Sequence, residues 1–143
     1  MASLTLTLEN RTRIAETISD DAWVVVCLCA AWCDVCREYQ PAFEQLAARH
    51  ADKHFIWIDI EDQADVVGDL DVENFPTLLI QHGDTVAFFG TVQPDAQQVN
   101  RLLLAQAAKT DVELQVEALS SAERRTWQET CNLRARLRDA LRA

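Results

Sequence analysis

The sequence predicts an α/β fold in which a mixed sheet is covered by helices. Two apolar runs, residues 23–30 and 55–60, are rich in β-branched and aromatic side chains, as expected for strands buried on both faces. Helical patterns separate them, and this alternation is typical of parallel strands joined by helical crossovers. Residues 77–81 and 86–91 predict a hairpin, which adds an antiparallel edge to the sheet.

The predicted order of elements is βαβαβαββα. It begins with a short half-buried strand over residues 4–8, where leucines alternate with threonines. Pro41 falls inside the second helix, where it removes one backbone donor and is expected to bend the helix. The predicted helices lie around Ile14 and Ile18 and over residues 38–50, 64–70 and 95–108.

The composition is that of a folded domain, because 143 residues with 49% apolar side chains suffice for one buried core. The N-terminus lacks a basic stretch and an apolar block, so we expect no signal peptide. The longest apolar run is too short to span a bilayer, so we predict a cytoplasmic protein without a membrane partner. In that reducing compartment structural disulfides are not expected, although a reversible catalytic one stays open. The net charge of −10 argues against nucleic acid as a partner.

The C-terminal segment differs in charge from the rest of the chain. Residues 1–119 carry 7 basic and 20 acidic side chains, whereas residues 120–143 carry 6 basic and 3 acidic ones. We therefore divide the chain into a domain over residues 1–108 and a helical extension over residues 109–143.

Two helices are predicted in the extension. Thr110 and Ser120 each precede a glutamate by three residues, the pattern of a capping box, and predict helices over about residues 111–119 and 121–142. Alternating apolar residues over 112–116 leave a strand as the alternative to the first helix. An apolar stripe on the second helix predicts either a cap docked on the domain or a surface for a dimer or another partner. The stripe consists of Trp127, Cys131, Leu133, Leu137 and Leu141.

A motif with two cysteines, AWCDVCR at residues 31–37, lies between a buried strand and a helix. The first helical turn leaves backbone N–H groups unpaired and carries the positive end of the helix dipole. Cys33 is expected at that end, which favours its reactive thiolate form over the thiol. Cysteines three residues apart can also close a small disulfide loop. The motif therefore predicts dithiol–disulfide exchange.

The motif resembles the active site of the thioredoxin family, in which Trp-Cys-x-x-Cys ends a central strand and opens a long helix. The sequence NFPT at residues 74–77 is similar to the cis-proline loop of that family, and Pro41 stands where the family kinks its long helix. Gly83 and Gly90 flank the last two strands, as in the family. The resemblance covers roughly residues 3–108 and implies a thioredoxin-like fold, followed here by the helical extension.

The resemblance also implies a role for each residue of the motif. Cys33 would attack a substrate disulfide, and Cys36 would resolve the mixed disulfide. Trp32, Phe75 and Pro76 would form the contact surface, with Pro76 in cis and the Phe75 backbone paired to an extended substrate segment. The implied partners are proteins with disulfides and a thioredoxin reductase as electron donor. No metal and no cofactor are expected.

Three departures from the family pattern bear on this chemistry. Asp34 and Val35 stand where general thioredoxins have Gly-Pro. The negative charge of Asp34 opposes formation of the Cys33 thiolate. The alternative is that Asp34 serves only to start the helix. Cys27 and Trp57 stand where the family commonly has a buried Asp and a Lys. The obvious internal base is therefore absent: either water does its work, or Asp59 does, or the resolving step is slow.

The third departure is the pair Cys27 and Cys29, which alternate on one strand and so share a face. Both fit as small core residues, but Cys27 is also a candidate for disulfide exchange with Cys36. A metal or iron–sulfur site built from all four neighbouring cysteines is a weaker alternative, because their spacing is not a usual zinc pattern. Cys131 is expected to pack rather than react.

These observations predict a cytoplasmic protein-disulfide reductase with a role in electron transport and cell redox homeostasis. A binding or assembly factor, or a chaperone, is the alternative of a different class: it would hold one client with the fold and the C-terminal helices. An oxidase or isomerase is a third possibility. The protein is expected to be a monomer, or a dimer through the C-terminal helices.

Overall fold

The computed structural model describes residues 3–70 and 72–142. The first nine elements follow the predicted order, and three helices follow them. In chain order the elements are β1 (Leu4–Thr5), α1 (Arg11–Thr17), β2 (Trp23–Cys29), α2 (Asp34–Arg49), β3 (His54–Asp59), α3 (Ala64–Val67), β4 (Thr77–His82), β5 (Thr85–Thr91), α4 (Ala96–Ala107), α5 (Asp111–Ala118), α6 (Ala122–Thr130) and α7 (Leu133–Arg142).

The five strands form one mixed sheet in the order β1-β3-β2-β4-β5. Strands β1, β3 and β2 are parallel, β4 is antiparallel to β2, and β5 is antiparallel to β4. The hairpin between β4 and β5 turns at Gly83, whose φ of 55° favours glycine. The predicted fold class, with its antiparallel edge, is confirmed.

Strand β2 lies at the centre of the sheet, and its alternating side chains separate two cores. Val24, Val26 and Leu28 face α1, α3, α6 and α7. Cys27 and Cys29 face the opposite side, where α2 and α4 cover the sheet. The period of two along a strand therefore places both cysteines beneath α2.

The N-terminal strand is shorter than predicted, since it spans Leu4 and Thr5, after which the Leu6 N–H still donates to the Trp57 carbonyl of β3 at 2.9 Å. A turn ends it: Asn10 Oδ1 accepts a hydrogen bond from the Thr7 backbone N–H at 2.8 Å. Leu8 therefore lies outside the sheet and is exposed.

The first predicted C-terminal helix is confirmed as α5, and the strand alternative is wrong. The side chains of Thr110 and Glu113 complete the predicted capping box. The next cap is shifted by one residue, because Ser121 rather than Ser120 accepts the hydrogen bond from the Arg124 N–H, at 3.1 Å.

The second predicted helix, over residues 121–142, is wrong as a single element, because it is divided into α6 and α7. The division is stabilised by Gln81, a fully buried side chain of β4. Its Oε1 accepts from the Leu133 backbone N–H at 2.9 Å, and its Nε2 donates to Asn132 Oδ1 at 2.6 Å. The backbone amide at the start of α7 thus finds a partner in the sheet instead of in a continuous helix.

The apolar stripe packs into the core beside β2, which favours the docked cap over an open partner surface. Trp127, Cys131, Leu133 and Leu137 are buried, and Leu141 is 42% exposed. Gln128 also covers the edge strand β5, since its side chain accepts from the Val86 N–H and donates to the Val86 carbonyl, both at 2.8 Å. The division of the chain at residue 108 stays a prediction.

The arginines of the extension bind the acidic part of the chain. Arg134 pairs with Asp84 at 2.8 Å, and Arg136 pairs with Asp69 at 2.6 Å. Arg136 also donates to the Val66 carbonyl, at 2.9 Å. The opposite charges of the two segments therefore meet where α7 contacts the domain. In the part of the chain that the structure describes, we find no helix with the length and apolar character needed to cross a bilayer.

Candidate active site

The two-cysteine motif lies where the central strand passes into α2. Strand β2 ends at Cys29, and α2 begins at Asp34 with Cys33 as its N-cap. The Cys33 N–H donates to the Ala30 carbonyl at 3.0 Å, which closes a tight turn. Cys33 is a half-buried free thiol, and the neighbouring Trp32 is 64% exposed. The predicted position of Cys33 at the positive end of the helix is confirmed.

Arg37 holds the motif together, a contribution that our sequence analysis did not assign. Its Nη1 donates to the Ala31 carbonyl at 2.6 Å, and its Nη2 pairs with the Asp34 carboxylate. The negative charge that Asp34 brings beside Cys33 is thus partly compensated. A spacing of three residues at a helix start is the signal for this pair.

The proline loop lies against the motif. The peptide bond between Phe75 and Pro76 is cis, as the resemblance implies. The Phe75 ring meets the Trp32 indole edge-to-face at a centroid distance of 5.6 Å. Pro76 is buried, and its carbonyl accepts from the Val92 N–H at 3.1 Å. The structure therefore brings the three predicted contact residues together beside Cys33, while their role in substrate binding stays a prediction.

The disulfide in this structure joins Cys36 to Cys29, whereas the resemblance implies a bridge between Cys36 and Cys33. The physical reason is how the start of α2 places Cys33 and Cys36 relative to the sheet. Cys33 has an extended backbone conformation, with φ −86° and ψ 113°, and lies at the surface. Cys36 lies within the first turn of the helix and is buried against the sheet face that carries Cys29. The roles of Cys33 and Cys36 in exchange stay predictions.

Cys27 lies beside this disulfide as a free thiol, with its Sγ 3.5 Å from that of Cys29. It is opposite Trp57 on β3 and Leu78 on β4. Burial raises the pKa of the Cys27 thiol well above its ordinary value. The shared face of Cys27 and Cys29 is confirmed, but the cysteine that reaches Cys36 is Cys29, not Cys27.

Asp59, the alternative internal base, binds backbone amides. Its Oδ2 accepts from the Ala31 N–H at 3.0 Å, and its Oδ1 accepts from the N–H groups of Glu61 and Asp62 at 2.8 and 3.2 Å. The carboxylate therefore anchors the loop that precedes Cys33. Its action as a base stays a prediction. Within residues 3–70 and 72–142, no three His, Cys, Asp or Glu side chains are grouped to hold a metal ion.

Comparison with known proteins agrees with this geometry. The family model Thioredoxin matches residues 5–102. A thioredoxin H-type of Picea mariana is 30% identical over 110 residues, which cover 76% of this chain and 88% of that protein.

Two solved structures show the same fold at low identity. The thioredoxin NaTrxh of Nicotiana alata is 22% identical, with a TM-score of 0.63 over 74% of this chain and 95% of the other. A chain from the complex of ferredoxin:thioredoxin reductase with thioredoxin f2 is 18% identical, with a TM-score of 0.64 over 75% and 96%. The family match, the relative at 30% identity and the cysteines at the start of α2 lead to one conclusion: the chain belongs to the thioredoxin family of disulfide oxidoreductases.

Proposed function

We propose that this protein is a cytoplasmic protein-disulfide reductase in which Cys33 attacks and Cys36 resolves. One observation carries the proposal: Cys33 is a partly exposed free thiol at the N-cap of a 16-residue helix. At this position the sulfur lies at the positive end of the helix dipole, where the N–H groups of the first turn have no partner within the helix. Trp32 and Phe75 lie beside it and provide an apolar surface for a substrate.

The reaction proceeds in two exchange steps. The Cys33 thiolate attacks one sulfur of a substrate disulfide, so that a mixed disulfide forms and the other substrate sulfur leaves as a thiolate. The Cys36 thiolate then attacks Cys33 Sγ, which releases the second substrate thiolate and leaves a disulfide between Cys33 and Cys36. The substrate gains two electrons, and the protein loses two.

A dithiol donor must return those electrons, and we propose a reductase protein for this step. One structural neighbour of this chain comes from a complex of thioredoxin f2 with ferredoxin:thioredoxin reductase. The reducing direction follows from the proposed cytoplasmic location, where disulfides are kept reduced.

The test is an insulin-type reduction assay with dithiothreitol, read as turbidity. We expect the wild-type protein to accelerate precipitation and Cys33→Ser to abolish the acceleration. Cys131→Ala is the matched control, because this buried cysteine lies on the other face of the sheet and should keep the full rate. No acceleration by the wild type, or an unchanged rate for Cys33→Ser, would overturn the proposal.

A binding or assembly role is the second candidate, and α5 supplies the observation that favours it. Val112, Val116 and Leu119 are spaced by four and three residues and are 70%, 67% and 64% exposed. This row is a possible contact for a client or for a second copy of the chain. The turbidity assay separates the two functions: acceleration by the wild type supports the reductase, and its absence supports the binding role. Trapping with Cys36→Ser then identifies the proteins that form mixed disulfides with Cys33.

A further inference from the structure

Cys36 is bonded to Cys29 in this structure, while Cys33 is a free thiol. We infer that Cys29 is a third redox-active cysteine. It displaces Cys33 from the disulfide between Cys33 and Cys36, so that Cys29 is bonded to Cys36 and Cys33 is a free thiol. The inference rests on the proposed function, since it requires Cys33 and Cys36 to be the exchanging pair.

The geometry that supports this step is the meeting of β2 and α2. Cys29 is the last residue of β2, and Cys36 lies in the first turn of α2, with their Cα atoms 5.9 Å apart. Cα separations of about 4.4–6.8 Å allow a disulfide without movement of the backbone. The two residues are bonded in this structure, and each is 1% exposed.

Cys27 shows that burial on this face of β2 is not enough to form a bond with Cys36. It is as deeply buried as Cys29, lies on the same face of β2 and has its Sγ 3.5 Å from that of Cys29. Even so, it stays a free thiol. Of the two strand cysteines, only Cys29 is bonded to the helix.

The exchange balances without any further reactant. The Cys29 thiolate attacks Cys36 Sγ, so that a bond forms between Cys29 and Cys36 while the bond between Cys33 and Cys36 breaks. The electron pair of the broken bond leaves on Cys33 Sγ, which takes up a proton in place of the one that Cys29 lost and so becomes the free thiol. The oxidation state of the protein is unchanged. The reverse attack, by Cys33 on Cys36, returns the disulfide to the surface.

The consequence is a protein that stores its disulfide out of reach of solvent. While Cys29 and Cys36 are bonded, Cys33 can still attack a client disulfide. Cys36 is then not free to resolve the product, so the client stays attached until an external thiol attacks the mixed disulfide. Both sulfurs of the buried disulfide are shielded from solvent. The disulfide is therefore reduced through Cys33, which attacks Cys36 and brings the bond to the surface.

Alkylation of the folded, oxidised protein tests the inference. We expect iodoacetamide to label Cys33 with a stoichiometry near one per chain after oxidation with diamide, because Cys33 is a free thiol and is partly exposed to solvent. In Cys29→Ala the disulfide is confined to Cys33 and Cys36, so labelling of Cys33 should fall by about tenfold or more. Cys27→Ala is the matched control and should label like the wild type.

Peptide mapping under non-reducing conditions identifies the bond directly. Cleavage after Trp32 and before Asp34 gives three fragments: the peptide that ends at Trp32 with Cys27 and Cys29, Cys33 as a single amino acid, and the peptide that begins at Asp34 with Cys36. In Cys27→Ala the first peptide carries Cys29 as its one cysteine, so the link is assigned to that residue. We expect the wild type and Cys27→Ala to link the peptide of Cys29 to that of Cys36. A wild-type map in which only Cys33 is linked to Cys36, with Cys33 protected from alkylation, overturns the inference. The turbidity assay is independent of this map, so failure of the reductase proposal and failure of the third cysteine give different results.

Discussion

Apart from the buried disulfide between Cys29 and Cys36, the redox segment, residues 29–37, and the C-terminal helices α6 and α7 are held in place by different means. The redox segment exposes Trp32 and fixes its turn with polar contacts at the surface, including the pair between Arg37 and Asp34. The C-terminal helices α6 and α7 bury an apolar stripe against the sheet. Surface ion pairs contribute little to stability, whereas buried aliphatic side chains contribute much. Changes in the redox segment should therefore alter chemistry, and changes in the helices should alter stability.

The largest expected effect is on the side of stability. Leu137 of α7 is fully buried, so Leu137→Ala leaves a cavity and should lower the free energy of unfolding by about 2–5 kcal/mol. Leu141→Ala is the matched control on the same helix. Because Leu141 is 42% exposed, its loss should change the free energy by about 0.5 kcal/mol or less. Urea unfolding followed by circular dichroism gives both values, and equal values for the two variants would contradict the docked position of α7.

Arg37→Gln in the redox segment is expected to change the rate of disulfide reduction but hardly the free energy of unfolding. The variant loses the cation that pairs with Asp34 and a donor to the Ala31 carbonyl, so an uncompensated negative charge lies beside Cys33. We expect the rate of disulfide reduction to fall several-fold, while the free energy of unfolding changes by less than about 0.5 kcal/mol. The double variant Asp34→Asn with Arg37→Gln removes both charges and should recover part of the rate. A rate unaffected by Arg37→Gln would show that the pair has no influence on Cys33.

The same contrast explains which features the sequence could predict. The order βαβαβαββα follows from local periods along the chain, and so does the capping box at Thr110. The break between α6 and α7 depends on Gln81, about fifty residues away, and no local period carries that information. The partner of Cys36 depends on where α2 begins and which face of β2 lies beneath it. The residue types of the active site were therefore predictable, but the disulfide that forms among them was not.

The smallest expected effect concerns how α5 is tied to its neighbours, through Glu117. Its carboxylate accepts a hydrogen bond from Lys109, and Arg124 lies 2.9 Å away. The hydrogen bond from Lys109 lowers the pKa of Glu117 in the folded protein below its ordinary value. A lowered pKa means that the contribution of Glu117 to stability is present above the unfolded pKa of about 4.3 and is lost as the pH falls through the folded pKa.

Glu117→Gln should accordingly lower the free energy of unfolding by up to about 1 kcal/mol at pH 7, since the group is only partly shielded from solvent. Below the unfolded pKa of about 4.3 the unfolded wild-type protein binds a proton at this carboxyl more readily than the folded one, so the difference between the two proteins should shrink. Glu129→Gln on the exposed side of α6 is the control and should show no such pH dependence. Urea unfolding at a series of pH values measures both, and a difference that stays constant down to pH 3 would contradict the assigned pairing. Because Lys109 follows α4 and Arg124 lies on α6, this carboxylate connects the segments before and after α5, and its titration reports how firmly α5 is fixed between them.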